Sequence, residues 1–188
     1  MTKFKMITMI WLGILLSGCS SIPIATMLSF SNYDAEQFFA IKAQDMRVRA
    51  TINSGLGIDL VTATNIALLV TTANGETKLN LVLEQIKIDT VAAKKGLFSD
   101  TPEFAVHTLK LSDEGVDNFN RFAQLMKTQE VKKTGFSAGF NSDKPLNSGG
   151  YAIYFSLDIK LGKSQDFVTL IDQFEVPSKY LATDNKAG

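Results

Sequence analysis

The chain has 188 residues, with 19 basic and 19 acidic side chains, one Cys and one His. Zero formal net charge and the lack of any basic run exclude nucleic acid as a partner and argue against a polybasic membrane patch. A single Cys allows no internal disulfide, and one His with one Cys falls short of a zinc or copper ligand set, so no metal or cofactor site is expected.

Lys3 and Lys5 precede a nearly unbroken apolar run, Met6 to Leu16, followed by Ser17, Gly18 and Cys19. A positive start, a short apolar middle and a small-residue end are the three parts of a secretory signal peptide. The run is too short to span a bilayer: at ~1.5 Å per residue it covers roughly half of a ~30 Å hydrocarbon core. Leu16-Ser17-Gly18-Cys19 resembles the lipobox of bacterial lipoproteins. The resemblance covers these residues and their upstream context only. It implies a diacylglyceryl group on the Cys19 sulfur, cleavage just before Cys19, and often acylation of the new amino group. Buried acyl CH₂ groups contribute ~0.8 kcal/mol each, so two or three chains hold where one is marginal. In the Gram-negative sorting pattern, Asp after the Cys favours retention in the inner membrane. Ser20 stands there instead, which implies the cell outer membrane. In a Gram-positive source the same signal would mean the outer face of the cytoplasmic membrane.

The chain therefore divides into a cleaved signal peptide (1–18), a lipidated Cys with its tether (19–31), a single β-rich domain (32–176) and a disordered polar tail (177–188). Asp34 with Gln37 three positions on starts a short helix to about Ile41. Met46 to Asn53 alternates Arg47, Arg49 and Thr51 with Val48, Ala50 and Ile52, the pattern of a half-buried strand. Asn53 to Gly57 is a turn. Asn74-Gly75, between Ile66–Ala73 and Glu76–Leu83, predicts a two-residue type I′ hairpin. Its register would set Val70 opposite Leu79, Leu68 opposite Leu81 and Ile66 opposite Leu83. Gln85 to Val91 either prolongs that second strand or starts another.

Ala92 to Glu103 reads as a surface connection. Phe104 to Leu111 is a strand, and Ser112 caps an amphipathic helix to Lys127 with Val116, Phe119, Phe122, Ala123 and Met126 on its apolar stripe. Val131 to Phe140 is a weaker strand. Tyr151 to Leu161 alternates without a fault and predicts a principal core strand, flanked in a meander by Val131–Phe140 and Asp166–Val176. Pro177 ends the last strand. The fold expected is mainly β, an antiparallel sandwich or curved sheet, with one amphipathic helix packed on it and a short N-terminal helix.

No catalytic constellation stands out, and no enzyme is expected. His107 sits mid-strand, with no Gly-x-Ser-x-Gly elbow in the chain. Ser54-Gly-Leu-Gly57 lacks the Lys and spacing of a phosphate loop. Glu84, Asp89, Asp158, Asp172 and Glu175 are scattered on strands as solvated carboxylates, although any two could meet as glycosidases require. The leading functional expectation is a periplasm-facing accessory module that binds an envelope protein. It is similar in outline, with no shared motif, to the small β-sandwich lipoproteins of secretion machines such as the type VI system. Carriage of an apolar ligand is the alternative, and an envelope hydrolase a remote one. Radiolabelled palmitate is expected on Cys19. In Cys19→Ser, labelling should vanish and the uncleaved precursor should persist.

Overall fold

The computed structural model describes residues 38–96, 101–128, 131–142, 144–147 and 151–181. The expected signal peptide and tether, Cys19, and Asp34–Gln37 of the expected first helix lie outside them. Phe38 and Phe39 are helical, and a 3-10 turn at Ala43–Asp45 leads into the first strand.

That strand, β1 (Arg47–Asn53), follows its sequence alternation: Val48, Ala50 and Ile52 are at most 1% exposed. It lies at the centre of a five-stranded antiparallel sheet. On one side β1 pairs with β5 (Phe104–Leu111), which pairs in turn with β4 (Leu83–Val91). On the other side it pairs with β7 (Tyr154–Lys160), which pairs with β8 (Val168–Glu175). A smaller sheet has β2 (Thr64–Thr72) between β3 (Gly75–Asn80) and β6 (Val131–Phe140). Ile66, Leu68, Val70 and Leu79 of this sheet share one core with Val48, Ile52, Leu109, Phe155, Leu157 and Ile159 of the other. The mainly β, two-sheet architecture with one long helix matches the fold class expected from sequence.

The long helix is α2 (Asp113–Thr128); a single helical turn, α1 (Leu60–Ala63), precedes β2. Ser112 caps α2 as expected, its Oγ accepting from the Gly115 N–H at 3.2 Å. Phe119 and Phe122 are buried, and α2 packs against β2, β3 and β5. Phe38 stacks on Phe119 with centroids 5.4 Å apart. The single turn α1 was not anticipated. Its signal is Asp59, whose carboxylate accepts from the Val61 N–H at 2.9 Å.

Four expectations are corrected. First, the β2–β3 turn is made by Ala73 and Asn74, not Asn74 and Gly75, so Leu68 opposes Leu79 and Leu69 opposes Lys78. A type I′ turn needs positive φ at both central residues, but only Gly75 has it, at 118°. The slip is two residues, which leaves every side chain on its expected face. Second, β6 does not flank β7. It pairs with β2, and β7 pairs with β1 and β8. Phe140 of β6 meets Phe155 of β7 with centroids 5.0 Å apart: the strands face each other across the layers.

Third, the core strand is shorter than its alternation. Tyr151 is 78% exposed and the strand starts at Tyr154, while Asp158, expected on a wet face, is 8% exposed. Arg49 and Thr169 bond its two oxygens, as described below. Fourth, residues 177–181 are ordered rather than a loose tail. Ser178–Tyr180 forms a 3-10 turn, Tyr180 meets Phe140 edge-on at 5.9 Å, and Leu181 bridges Leu146. Residues 182–188 lie outside the described ones.

Phe155 is fully buried at the centre of β7, whereas Lys160 is half-buried near its end on the other face. Phe155→Ala is expected to cost ~3–5 kcal/mol and Lys160→Ala within about 0.5 kcal/mol by denaturant titration. Gly115 lies so close to the β3–β4 connection that an added Cβ would come within 2.3 Å of the Val82 carbonyl oxygen. Since that atom is backbone, Gly115→Ala should destabilise by about 1–3 kcal/mol in the same titration, although Ala is the better helix former.

Candidate interaction surface

The larger sheet has five strands and the smaller only three. One cross-strand row on the inner face of the large sheet shows where cover ends. Leu157, Ala50, His107 and Ile88 stand opposite one another on β7, β1, β5 and β4. Their exposures are 0%, 0%, 7% and 52%. Burial stops between β5 and β4. Only Leu83, at the start of β4, reaches the core; every later residue of that strand is exposed.

Among the described residues β4 pairs with β5 alone. Its outer edge therefore offers alternate unpaired N–H and C=O groups over a nine-residue strand. It also carries Ile86 (49% exposed), Ile88 and Val91 (45%). A bulge between Gln85 and Lys87 disturbs its first part, after which pairing runs regularly to Val91. The hairpin continues beyond the strands: Lys94 and Thr101 exchange two backbone hydrogen bonds, at 3.0 and 2.8 Å.

The other three edges are blunted. β8 has two register shifts and a positive φ at Gln173. β3 presents Glu76 and Lys78, and β6 has Lys132 and Lys133 with glycines at 135 and 139. Charges, bulges and kinks of this kind discourage edge pairing. On β4 the charges are Glu84, which pairs with Lys110 of the adjoining β5, and Lys87 and Asp89, which pair with each other at 2.7 Å.

The residues weighed as catalytic do not form a site. His107 Nδ1 lies 2.9 Å from Gln85 Oε1, an acceptor, so Nδ1 carries the proton. His107 is thus a hydrogen-bonded strand histidine at the boundary of the core. Glu84 pairs with Lys110, and Asp89 with Lys87. Asp158 Oδ2 accepts from Arg49 Nε at 2.9 Å and its Oδ1 from Thr169 Oγ1 at 2.7 Å. The Arg49 guanidinium lies over the Phe167 ring, 4.5 Å from its centroid. Asp158 is thus fully occupied within a structural cluster. Asp172 and Glu175 are exposed on β8. Four strand spacings, ~19 Å, separate β8 from Glu84 and Asp89 on β4, about twice the widest carboxylate separation in glycosidases. Ser54 Oγ donates to Glu103 Oε1 at 2.6 Å, within a turn as expected. Among the described residues no group of three or more His, Cys, Asp or Glu is placed to hold a metal.

One groove, of about 350 Å³, runs between Phe38, Phe39 and Ile41 and the Phe119–Thr128 face of α2. Lys127 lies over the Phe39 ring there, 4.7 Å from its centroid. Among the described residues no helix is long and apolar enough to cross a membrane. No protein-family model, no curated protein and no solved structure matches this chain.

The apolar edge was not singled out from the sequence. Ile86 and Ile88 alternate with Lys87 and Asp89 as in a half-buried strand. Local pattern cannot tell which strand a facing sheet will cover.

Burial lowers the pKa of His107 below its ordinary 6.5, with the Asp59 carboxylate opposing part of the shift. Below pH 6.5 the unfolded chain binds a proton that the folded chain resists. Stability should therefore be level above that pH and fall below it, by at most about 1.4 kcal/mol per pH unit, down to the folded pKa. Denaturation midpoints measured from pH 8 to 5 should lose this part of their slope in His107→Gln.

Proposed function

We propose that this chain is a lipoprotein of the cell outer membrane, held by acyl chains on Cys19 and facing the periplasm. It acts there as a non-enzymatic interaction module of an envelope assembly. The observation that supports the interaction reading is the β4 edge. It is long and apolar, unpaired among the described residues, and left bare by a facing sheet two strands narrower. Strand addition at such an edge draws affinity from main-chain hydrogen bonds and specificity from the alternate side chains. The surface of the module is thus β4, with Ile86, Ile88 and Val91 as its apolar contacts. The lipobox carries the membrane part of the reading. The groove beside Phe38 and Phe39 is the feature that favours the alternative, carriage of an apolar ligand.

Crosslinking in intact envelopes, followed by purification of the chain, tests the interaction. Wild type should yield a discrete adduct, and Ile88→Asp should lose it. Ile88 is more than half exposed, so the substitution should leave the denaturation midpoint within about 0.5 kcal/mol of wild type. An adduct that survives Ile88→Asp, or a wild-type chain that yields none, would remove the support from β4. Release of a bound lipid on extraction of the purified chain, lost on filling the groove by Ala123→Trp, would favour the carrier instead.

A further inference from the structure

The middle of β4 reads Ile86-Lys87-Ile88-Asp89-Thr90, and it is complementary to itself when run antiparallel. With a two-fold axis through Ile88, Lys87 of one chain stands opposite Asp89 of the other, and Asp89 opposite Lys87. Ile88 meets Ile88 and Ile86 meets Thr90; the match ends there, because the bulge leaves Gln85 opposite Leu109 on the core side while Val91 stands opposite Phe104 on the other. Opposite charges directly across a strand pair stabilise it, and like charges destabilise it. Moving the axis one residue either way fails on this rule, since Lys87 would face Lys87 or Asp89 would face Asp89. The axis through Ile88 is thus singled out by charge.

The faces agree as well. Within each chain Ile88 stands opposite His107, on the core side of the sheet, while Lys87 and Asp89 stand opposite Thr108 and Val106 on the other side. In the antiparallel pair both isoleucines fall on the core side. There they would prolong the row Leu157–Ala50–His107–Ile88 into its copy and cover the side chain at which burial now stops. On the other side the Lys87–Asp89 pair of each chain would meet its copy, giving four charges of alternating sign. The two sheets would then join into one of ten strands, near the upper end of what open twisted sheets reach. A symmetric interface that uses one patch twice is the commonest oligomer contact.

We infer that the strand added at the β4 edge is β4 of a second copy of this chain, antiparallel and in register about Ile88. The inference rests on the reading of β4 as the interaction surface. Charge complementarity selects the second copy over a foreign strand.

The register makes a sharp test. Opposed residues of an antiparallel pair have Cα atoms about 4.5–5.5 Å apart, within the range of a disulfide. In the full chain, in its own membranes, Ile88→Cys should give under mild oxidation a species of twice the chain mass, reversed by reductant. The unsubstituted chain reports any bridge through Cys19. Glu84→Cys should not bridge, because the two copies of that position would lie about 27 Å apart along the strands. Lys87→Glu in the Ile88→Cys background should abolish the doubled species, and Lys87→Glu with Asp89→Lys should restore it, since the double swap recreates every charge pair.

Absence of the doubled species from Ile88→Cys overturns the inference, and so does its persistence undiminished in Lys87→Glu. Overturned inference and failed interaction reading remain distinguishable. If Ile88→Cys gives no doubled species but Ile88→Asp still removes an adduct of another mass, β4 binds a foreign strand. If no adduct depends on Ile88, both readings fall.

Discussion

Leu81, Val82 and Leu83 carry the chain from the small sheet to the large one, and both layers depend on that passage. Leu79 in β3, Leu81 between the strands and Leu83 in β4 are all buried, so the apolar alternation runs through the change of sheet without a break. The Leu81 N–H still donates to Ile66 O, at 2.8 Å, on the small sheet. Two residues later Leu83 is opposite Leu111 on the large one. Val82 between them turns its carbonyl to the N–H of Ser112, at 2.9 Å, where α2 begins. A carbonyl that has left both ladders at such a corner needs a donor, and the start of a helix has spare ones. Gly115 lets the helix come close enough, because any side chain there would strike Val82. Sheet, sheet and helix are thus pinned at one residue.

The position of that corner sets what is left uncovered. The small sheet is anchored to the first residue of β4, and α2 occupies the space beside it. Neither extends along β4 beyond Leu83. His107 on β5 is the last buried side chain of its row, and it is a polar one, held by Gln85 from the strand at the margin. Its depressed pKa marks the same boundary electrostatically: there is enough burial to disfavour the charged ring, with Asp59 opposing part of the shift. The apolar edge and the buried histidine are two consequences of one mismatch in width between the sheets.

The outer face of the large sheet bears on function in a different way. Arg49, Asp158, Thr169 and Phe167 form a closed polar cluster across β1, β7, β8 and the residue before β8. Every oxygen of the carboxylate is engaged. Removing Arg49 would leave the Asp158 carboxylate, whose side chain is 12% exposed, without its charged partner, so the cluster ties β7 to both neighbours rather than offering a group for chemistry.

Much of this protein was legible from its residues in order. The bounds of Phe104–Leu111 and Val131–Phe140, the cap at Ser112 and the stripe of Phe119 and Phe122 follow from periods of 2 and 3.6 and from hydrogen bonds between near neighbours in sequence. The resemblance of Leu16–Cys19 to a lipobox likewise rests on consecutive residues. The tertiary structure alone decided which strand lies beside which. The alternation of β6 is satisfied equally by pairing next to β7 or by facing it across the core, and the structure has the second. It also decided which apolar faces are covered. Val48 and Ile52 look in sequence much like Ile86 and Ile88, each set alternating with polar or charged residues. The first two are each 1% exposed, the second two 49% and 52%. The difference lies in what stands opposite, and a facing sheet is assembled from residues far away in the chain. Burial is a relation between distant segments, and no local period encodes it.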